Sequence, residues 1–441
     1  MNLRDCLLAS LSELPGTREF HLHVLVSVPR KNSSLYIFAK PLPKIYLQEV
    51  LVLCSEQTNA EGGRVMVTAI EASVYHIPAS SSLVLYIAKV DSTGQGIRPS
   101  PTVALVRTLL RYYANPVTRP IPTEQLWIHL FARAQGQYLF PNSSEYTGKR
   151  PLSDIKLCGW WKRVLTEVAE KVQTQVETLK MYYLFPGYSE HEASNALKYI
   201  PTSASDVTWI YGHPYSQTEI GLPCPRGREG RNLGMLVPSF EDDPKSRFLD
   251  EIGYNTGGEI RTPARKRARM DREEEGKEPL GELGKVTAEE YWERMSFRQE
   301  CVSGAITGFF AVGMKSGVEG VEGEKKGEGE KEGEKERERE KEEGRGQVSR
   351  QMIQRVMTTL TSGGEYSTKL VAIGATEMVE STVKRLCSGG EYSEDIYGKA
   401  TAKGGSVVGC CSGGGGGGGE EAVRTEGVRV LTARRKERKS R

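Results

Sequence analysis

Large aromatic residues decide where a chain can bury a core, and in these 441 residues Phe and Trp run out about two thirds of the way along. All five Trp (Trp127, Trp160, Trp161, Trp209 and Trp292) lie in the first two thirds, and neither Phe nor Trp occurs after Phe310. A single such ring buries roughly 150–250 Å², so a core built on aromatics is confined to Met1–Tyr254 and Val286–Met314. The remainder is expected to add little apolar area. Glu322–Gly346 is almost only Glu, Lys, Arg and Gly, a mixed-charge linker that cannot bury a core. Thr256–Lys285 is polar, carries RKRAR at Arg265–Arg269, and reads as a disordered insertion. The organisation expected is one domain over 1–390, with insertions at 256–285 and 316–347. A flexible tail follows over 391–441, its Gly413–Gly419 run tethering the basic end Arg434–Arg441.

The formal net charge of +3 is close to neutral, so any polyanion must be met by local clusters rather than by the whole field. MNLRDCLLASLSELPG at the start is broken by Arg4, Asp5 and Glu13 and does not read as a secretory leader. No run of about 18 apolar residues suggests a membrane-spanning helix. The eight Cys are scattered without a C-x-x-C pair, which reads as reduced thiols and gives no zinc pattern, so no metal is expected.

Runs rich in Val, Ile, Tyr and Leu predict strands at Phe20–Val28, Leu35–Phe38, Arg64–His76, Leu83–Ala88, Leu126–Ala132 and Lys180–Phe185. Helical spacing marks Pro101–Ala114, opened by Ser100-Pro101 and carrying Val103, Val106, Leu109 and Leu110 on one face. It also marks Trp160–Val172, with Trp160, Val164, Val168 and Val172 in register. Thr287–Glu290 is a capping box for a helix to Phe297, followed by a strand-like run at Gly304–Gly313. Weaker helical patterns lie at Val348–Leu360 and Thr376–Leu386, and SGGEYS recurs at Ser362–Ser367 and Ser388–Ser393 as turn chemistry rather than a repeat fold. Strands alternating with helices imply a mixed α/β domain around one large sheet.

Four segments carry groups that packing alone does not require. In KVDSTG, Asp91 ends a strand; such an Asp often only shapes a turn. The helix start at Ser100-Pro101 nearby offers free N–H groups that suit a pyrophosphate. Phe131–Phe140 (FARAQGQYLF) crowds Arg133, Gln135 and Tyr138 into a strand end, where a plain hairpin would waste them. Trp160 and Trp161 point about 100° apart on a helix, so one can pack while the other lines a channel for the stem and tip of a lysine. In SFEDDPKSRFLD, Asp242 and Asp243 stand just ahead of Lys245; they either cap a helix at Pro244 or take a proton from an amine. Neither a nucleotide-binding glycine loop nor a G-x-S-x-G elbow is present.

These segments occur together with EFHLHVL, GWWKRVL and YWERMSFRQECVSG at Tyr291–Gly304, and in that order they resemble the fungal histone acetyltransferases of the regulator-of-Ty-transposition type. The resemblance implies a central sheet ringed by helices, similar to the CREB-binding-protein-type acetyltransferases. It also implies acetyl transfer from acetyl-CoA to histone H3 lysines, at a core-domain position where DNA enters the nucleosome and in the tail. Carried over by motif, Val90, Asp91, Ser92 and Pro99, Ser100, Pro101, Thr102 and Val103 would lie along acetyl-CoA. Phe131, Gln135, Lys149, Arg150, Pro151, Leu152 and Trp160 would line its pantetheine and phosphates. Tyr138 and Trp161 would border the lysine channel, with Asp243, beside Asp242, as proton acceptor or orienter and Asp91 at the reacting centre. Lys245 would be a self-acetylated lysine.

The partners so implied are histone H3–H4 and two histone chaperones, one of nucleosome-assembly-protein type and one of anti-silencing-function type. The setting implied is nuclear, in replication-coupled nucleosome assembly and the DNA damage response. No membrane partner and no strong nucleic-acid site is implied. A catalytically inactive histone-binding scaffold is the alternative of a different class. A nucleic-acid binder, resting only on RKRAR and RRKERKSR, is a third.

Overall fold

In the computed structural model the described residues are 2–57, 62–198, 207–226, 232–254, 282–298, 301, 306–317, 346–387 and 395–402. The predicted insertions, the second SGGEYS and the basic tail fall almost wholly outside them.

One mixed sheet organises the molecule. Its strands are β1 (Arg18–Ser27), β2 (Arg30–Asn32), β3 (Ile45–Gln57), β4 (Arg64–Ile77), β5 (Ser82–Ser92), β6 (Gln125–Ala132), β7 (Thr178–Leu184), β8 (Trp209–Tyr211), β9 (Gly308–Lys315), β10 (Gln347–Val348) and β11 (Tyr397–Ala402). They lie in the order β10-β1-β3-β4-β5-β6-β9-β7-β8, with β11 also on β1 and β2 on β3. Neighbours are antiparallel except β1–β10, β5–β6 and β7–β8.

Alternation of side chains across the pleat feeds two faces. Leu83, Leu85 and Ile87 enter one core, while Val84 and Tyr86 enter another on the opposite face. The first face is covered by α1 (Leu3–Ser12), α2 (Thr102–Ala114), α3 (Asp154–Val172) and α4 (Glu190–Leu197). On the second face lie α5 (Leu233–Leu236), α6 (Pro244–Tyr254) and α7 (Ala288–Met295). Beside them, α8 (Arg350–Ser362) and α9 (Lys369–Leu386) cover Leu25, Leu51 and Leu53. The mixed α/β sheet ringed by helices is therefore what the chain builds.

Four expectations change. Leu35–Phe38 is a turn, because the Asn32 side chain accepts the Ser34 and Leu35 N–H groups at 3.1 Å and swings the chain inward. Leu35, Tyr36 and Phe38 are then all buried, which strand alternation would not allow. The strand missed there is β3, one of the longest in the sheet. The aromatic-poor C-terminal third does build a core: Ile353, Val356, Leu360, Val379 and Val383 pack at helical spacing around Tyr366, so aliphatic area replaces rings. The division at residue 390 leaves Tyr397–Ala402 in the tail, yet this segment pairs antiparallel with β1 from Arg18 to His23. Finally, Thr287 accepts the Glu290 N–H as expected, but Glu290 turns to Arg294 and the helix closes at Met295.

Burial lowers the pKa of His21, His23, His76, His129 and His213, and brings His23 down to about 4. An unfolded His titrates near ~6.5, so between those values the unfolded chain binds more protons than the fold. Stability is thus complete above about pH 6.5 and falls as pH drops toward 4. Urea unfolding at pH 7 and pH 5 should show this loss, and His23→Gln should shed part of it. An identical pH slope in the variant would show that His23 is already charged in the fold.

Candidate active site

The parallel pair β5–β6 is joined through α2, and its ladder runs only from Ser82↔Gln125 to Tyr86↔His129. Beyond that point the strands part: β5 continues on β4 and β6 continues on β9. The cause is local. Between Glu71↔Lys89 and Ala72↔Ile87 the β4–β5 register shifts, leaving Ala88 as an extra residue. Such a bulge bends its strand. A crevice therefore opens at the carboxyl ends of two parallel strands, beside the helix that connects them, where α/β sheets bind ligands. Its volume is about 400 Å³.

The crevice gathers most of the residues that sequence singled out. Val90, Asp91 and Ser92 reach it from β5, and Pro99, Ser100, Thr102 and Val103 from the start of α2. Phe131, Gln135 and Tyr138 line it from the end of β6, Lys149, Arg150, Pro151 and Leu152 from the following loop, and Trp160 and Trp161 from α3. Pro101 does not line it; it is buried at the N-cap of α2. Asp242, Asp243 and Lys245 also lie outside its lining. Arg133, also singled out in the sequence, lines it too, whereas sequence reasoning missed Lys89, Gly94, Gly96 and Arg98 as part of the lining. The two glycines directly after a strand were the available signal.

Asp91 is buried, and its carboxylate is fully used. Oδ2 accepts the N–H groups of Tyr138 (2.7 Å), Leu139 (2.8 Å) and Phe140 (3.2 Å). Oδ1 accepts Lys149 Nζ (2.9 Å) and the Ser92 N–H (2.8 Å). A carboxylate with five donors has no lone pair left for a substrate proton, so its position in the wall is that of a positioning residue rather than a base. Lys149 is corrected with it: its ammonium is shared by Asp91 and Ser143 Oγ (2.7 Å), and its side chain is 7% exposed. It is not free to meet a phosphate. Three other cations on the lining, Arg98, Arg133 and Arg150, form no ion pair among the described residues.

The opposite wall is held from beneath. Arg18 of β1 and Glu56 of β3 form a bidentate pair at 2.8 and 3.0 Å, both buried. The same guanidinium donates to the Pro99 and Ile97 carbonyls at 2.8 Å, while Glu56 accepts the Ile97 N–H. Gly94 lets this loop pass the next one. Its φ is +75°, in the left-handed region, and a Cβ there would stand 2.6 Å from Lys149 Cα. Only glycine meets both demands.

The rings of Trp160 and Trp161 meet edge to face at 4.7 Å; Trp161 is 5% exposed and Trp160 half-buried. The Tyr138 hydroxyl donates to the Arg133 carbonyl, and burial pushes its pKa up to about 12, so it remains a donor at neutral pH. Cys158 lies under Gly308, outside the lining, with its thiol also pushed up to about 12 by burial.

The two neighbouring aspartates have opposite surroundings. Asp243 is fully buried at the start of α6; one oxygen accepts the Lys245 N–H (2.9 Å) and the other holds Lys245 Nζ. Lys245 is enclosed by the Phe240 ring at 4.5 Å and by Tyr86 and Phe309, and burial lowers its pKa although Asp243 opposes this. Asp242 has φ +62° and a side chain 69% exposed, with Oδ2 3.5 Å from Lys89 Nζ. Asp243, expected as proton acceptor, is therefore committed to Lys245, and Asp242 is the carboxylate nearer the crevice through Lys89. No group of three or more His, Cys, Asp or Glu among the described residues is placed to hold a metal ion.

A bulged, splayed sheet with a ligand-sized crevice at the split is thus the class of fold and site this chain builds. Residues 116–382, more than half of the chain, match the histone acetyltransferase KAT11-type domain, and the chain belongs to that family. It is similar to histone acetyltransferase rtt109 of Aspergillus flavus, with 30% identity over 275 residues, covering 56% of this chain and 45% of the relative. With histone acetyltransferase rtt109 of Schizosaccharomyces pombe it shares 25% over 307 residues, 67% of this chain and 68% of the other. The match thus spans less than half of the first relative and about two thirds of the second. The crystal structure of Rtt109 from Aspergillus fumigatus shares the fold, with a TM-score of 0.65 at 21% identity over 91% of this chain and all of that one.

Removing one partner from a buried ion pair costs about 3–5 kcal/mol because the other charge is left without a counter-ion. Asp91→Ala should lose stability on that scale in urea unfolding, since Lys149 and three backbone donors are orphaned together. Asp91→Ala with Lys149→Met should recover part of the loss. A loss below about 1 kcal/mol in the single variant would mean that the pair contributes like an exposed one.

Proposed function

We propose that this protein is a histone lysine N-acetyltransferase that moves acetyl from acetyl-CoA to lysines of histone H3. The observation that carries the reading is the crevice at the β5–β6 split, with the α2 N-terminus on its border and an aromatic wall from α3. The unpaired edge of β5 over Ile87–Asp91 offers backbone groups to the amides of pantetheine. Pro101 gives α2 no side-chain cap and only the Thr102 N–H is met, by Ser100 Oγ at 3.4 Å, so the N–H groups that follow are open to an anion, and Arg98, Arg133 and Arg150 add positive charge around them. Val67, Val103, Phe131 and Leu157 supply apolar contact for the linker between phosphate and thioester.

The chemistry is direct transfer. The neutral amine attacks the thioester carbonyl carbon, an amide bond forms, the C–S bond breaks, and the sulfur leaves as the thiol of CoA once protonated. A lysine begins with a pKa near ~10.4; apolar rings such as Trp161 desolvate the ammonium and favour the amine. The amine proton passes to water or to the largely exposed Asp242, whose contact with Lys89 is a loose one at 3.5 Å. The thioester is already activated, so positioning supplies much of the acceleration. Cys158 is outside the lining, which supports attack without an acyl-enzyme.

The acceptor is the core-domain lysine of H3 near the DNA entrance and lysines of the H3 tail. Histone H3–H4 is delivered by chaperones of nucleosome-assembly-protein and anti-silencing-function type, in the nucleus, during replication-coupled assembly and the DNA damage response. Incorporation of labelled acetyl into H3, presented with H4 and both chaperones, tests this. Trp161→Ala, confirmed as folded by circular dichroism, should lower the rate tenfold or more, a barrier change of about 1.4 kcal/mol. No incorporation by the unaltered chain would favour a histone-binding scaffold instead.

Lys245 is proposed to be acetylated in the active enzyme. Acetylation removes its charge from an aromatic enclosure and releases Asp243 from its ion pair. Protein purified from cells should carry acetyl on Lys245 in peptide mapping, and Lys245→Arg should lose activity although charge is kept. Fully active protein with an unmodified Lys245 would assign the lysine to packing alone.

A further inference from the structure

Lys89 is the one cation of the crevice lining whose ammonium is held by two carboxylates from two different elements. Its Nζ lies 2.9 Å from Glu71 Oε2 on β4 and 3.5 Å from Asp242 Oδ2 ahead of α6. The bulge at Ala88 places it: Lys89 sits directly opposite Glu71 in the β4–β5 ladder, one residue past the bulge and three past Tyr86, the last residue of β5 paired with β6. Asp242 reaches it because its backbone adopts φ +62°, which turns its side chain away from the buried course of Asp243. A non-glycine residue in this region carries a backbone cost. Burial pulls the Lys89 ammonium down, but Glu71 and Asp242 outweigh it and hold its pKa above the ordinary value. The lysine remains charged at neutral pH.

A lysine ammonium is also what an acceptor substrate brings to this crevice. Lys89 presents that same group, on an aliphatic stem, between two carboxylates that border the lining. Its side chain is 28% exposed, as is about a third of Glu71, so the arrangement is open to exchange with a ligand.

We propose that Lys89 is a resident competitor for the incoming lysine: Glu71 and Asp242 form the receiving site for the substrate ammonium, and Lys89 occupies it until a basic peptide displaces it. This rests on the acetyl-transfer reading above and adds to it a residue that sets acceptor affinity. The exchange is between cations, with no covalent step. It selects for acceptors whose flanking charge helps to displace Lys89, and it disfavours an isolated lysine.

The test uses the full chain, Lys89→Met, Lys89→Arg and Lys89→Met combined with Asp242→Asn. Two equilibrium measurements are made: acetyl-CoA binding by calorimetry, and binding of a fluorescein-labelled H3 tail peptide by anisotropy. Steady-state KM for the same peptide accompanies them. Lys89→Met should bind the peptide at least threefold more tightly, with a matching fall in KM and unchanged acetyl-CoA affinity. Lys89→Arg should behave as the unaltered chain, and Asp242→Asn should abolish the gain. An unchanged or weakened peptide affinity in Lys89→Met overturns the proposal. So does a loss of acetyl-CoA affinity, which would make Lys89 a phosphate or amide contact of the cofactor. Should the unaltered chain acetylate no histone at all, the functional reading fails, and the peptide-binding series still decides the role of Lys89.

Discussion

The carboxylate of Asp91 accepts five hydrogen bonds, and its donors come from both sides of the crevice. Three are consecutive backbone N–H groups of Tyr138–Phe140, one is its neighbour Ser92, and one is Lys149 from the loop beyond. These loops carry Arg133, Gln135, Tyr138 and Arg150 into the lining. Without a buried anion to gather them, three adjacent N–H groups would be left unpaired, and each buried orphan costs about 1–3 kcal/mol. Lys149 then balances the charge that the anion brings inside. The ion pair need not add net stability over an apolar substitute; what it confers is a single arrangement of two loops around one point of β5.

Asp242 and Asp243 show how far adjacent identical residues can diverge. Asp243 lies inside, where the helix start supplies the Lys245 N–H and the lysine side chain supplies the counter-charge. The reversal of φ at Asp242 sends the other carboxylate outward to Lys89. An Asp-Asp pair read in one dimension offers two equivalent proton acceptors. In three dimensions one is neutralised within a core and the other borders the crevice.

Much of the fold was readable because its signals are local. The helix from Thr102 to Ala114 follows from Val103, Val106, Leu109 and Leu110 at helical spacing after Ser100-Pro101, although its buried face takes in Leu105 rather than Val103. The lining residues Asp91, Tyr138, Trp160 and Trp161 stood out because their chemistry exceeded what their elements need. What stayed hidden depends on pairings across the sheet. Nothing in LVLYIAKVDS marks Ala88 as a bulge, since the shift exists only relative to Glu71 and Ala72. The commitment of Lys149 to Asp91 joins positions 58 residues apart, so a basic residue beside a glycine looked like a free phosphate ligand. Leu35–Phe38 failed for a related reason: four apolar residues satisfy a strand pattern, and the Asn32 side chain that bends them competes silently.

The C-terminal third matters to the crevice more than its composition suggests. Tyr366 accepts Gln95 Nε2 at 2.7 Å through its carbonyl and donates its N–H to Pro141, so one residue touches the loops on both sides of the split. On α9, Thr376 Oγ1 accepts the Met66 N–H at 2.7 Å, and Glu380 pairs with Arg64 and Ser55 at the ends of β3 and β4. Those are the strands that hold Glu56 beneath the Ile97–Pro99 wall. Helices α8 and α9 therefore act on the crevice without lining it, by bracing the loops that do. An aliphatic pair of helices suffices for that task, because bracing requires buried area and a few directed hydrogen bonds rather than large rings. The geometry of the split depends in this way on segments from both ends of the chain, even though every lining residue falls between Val67 and Trp161.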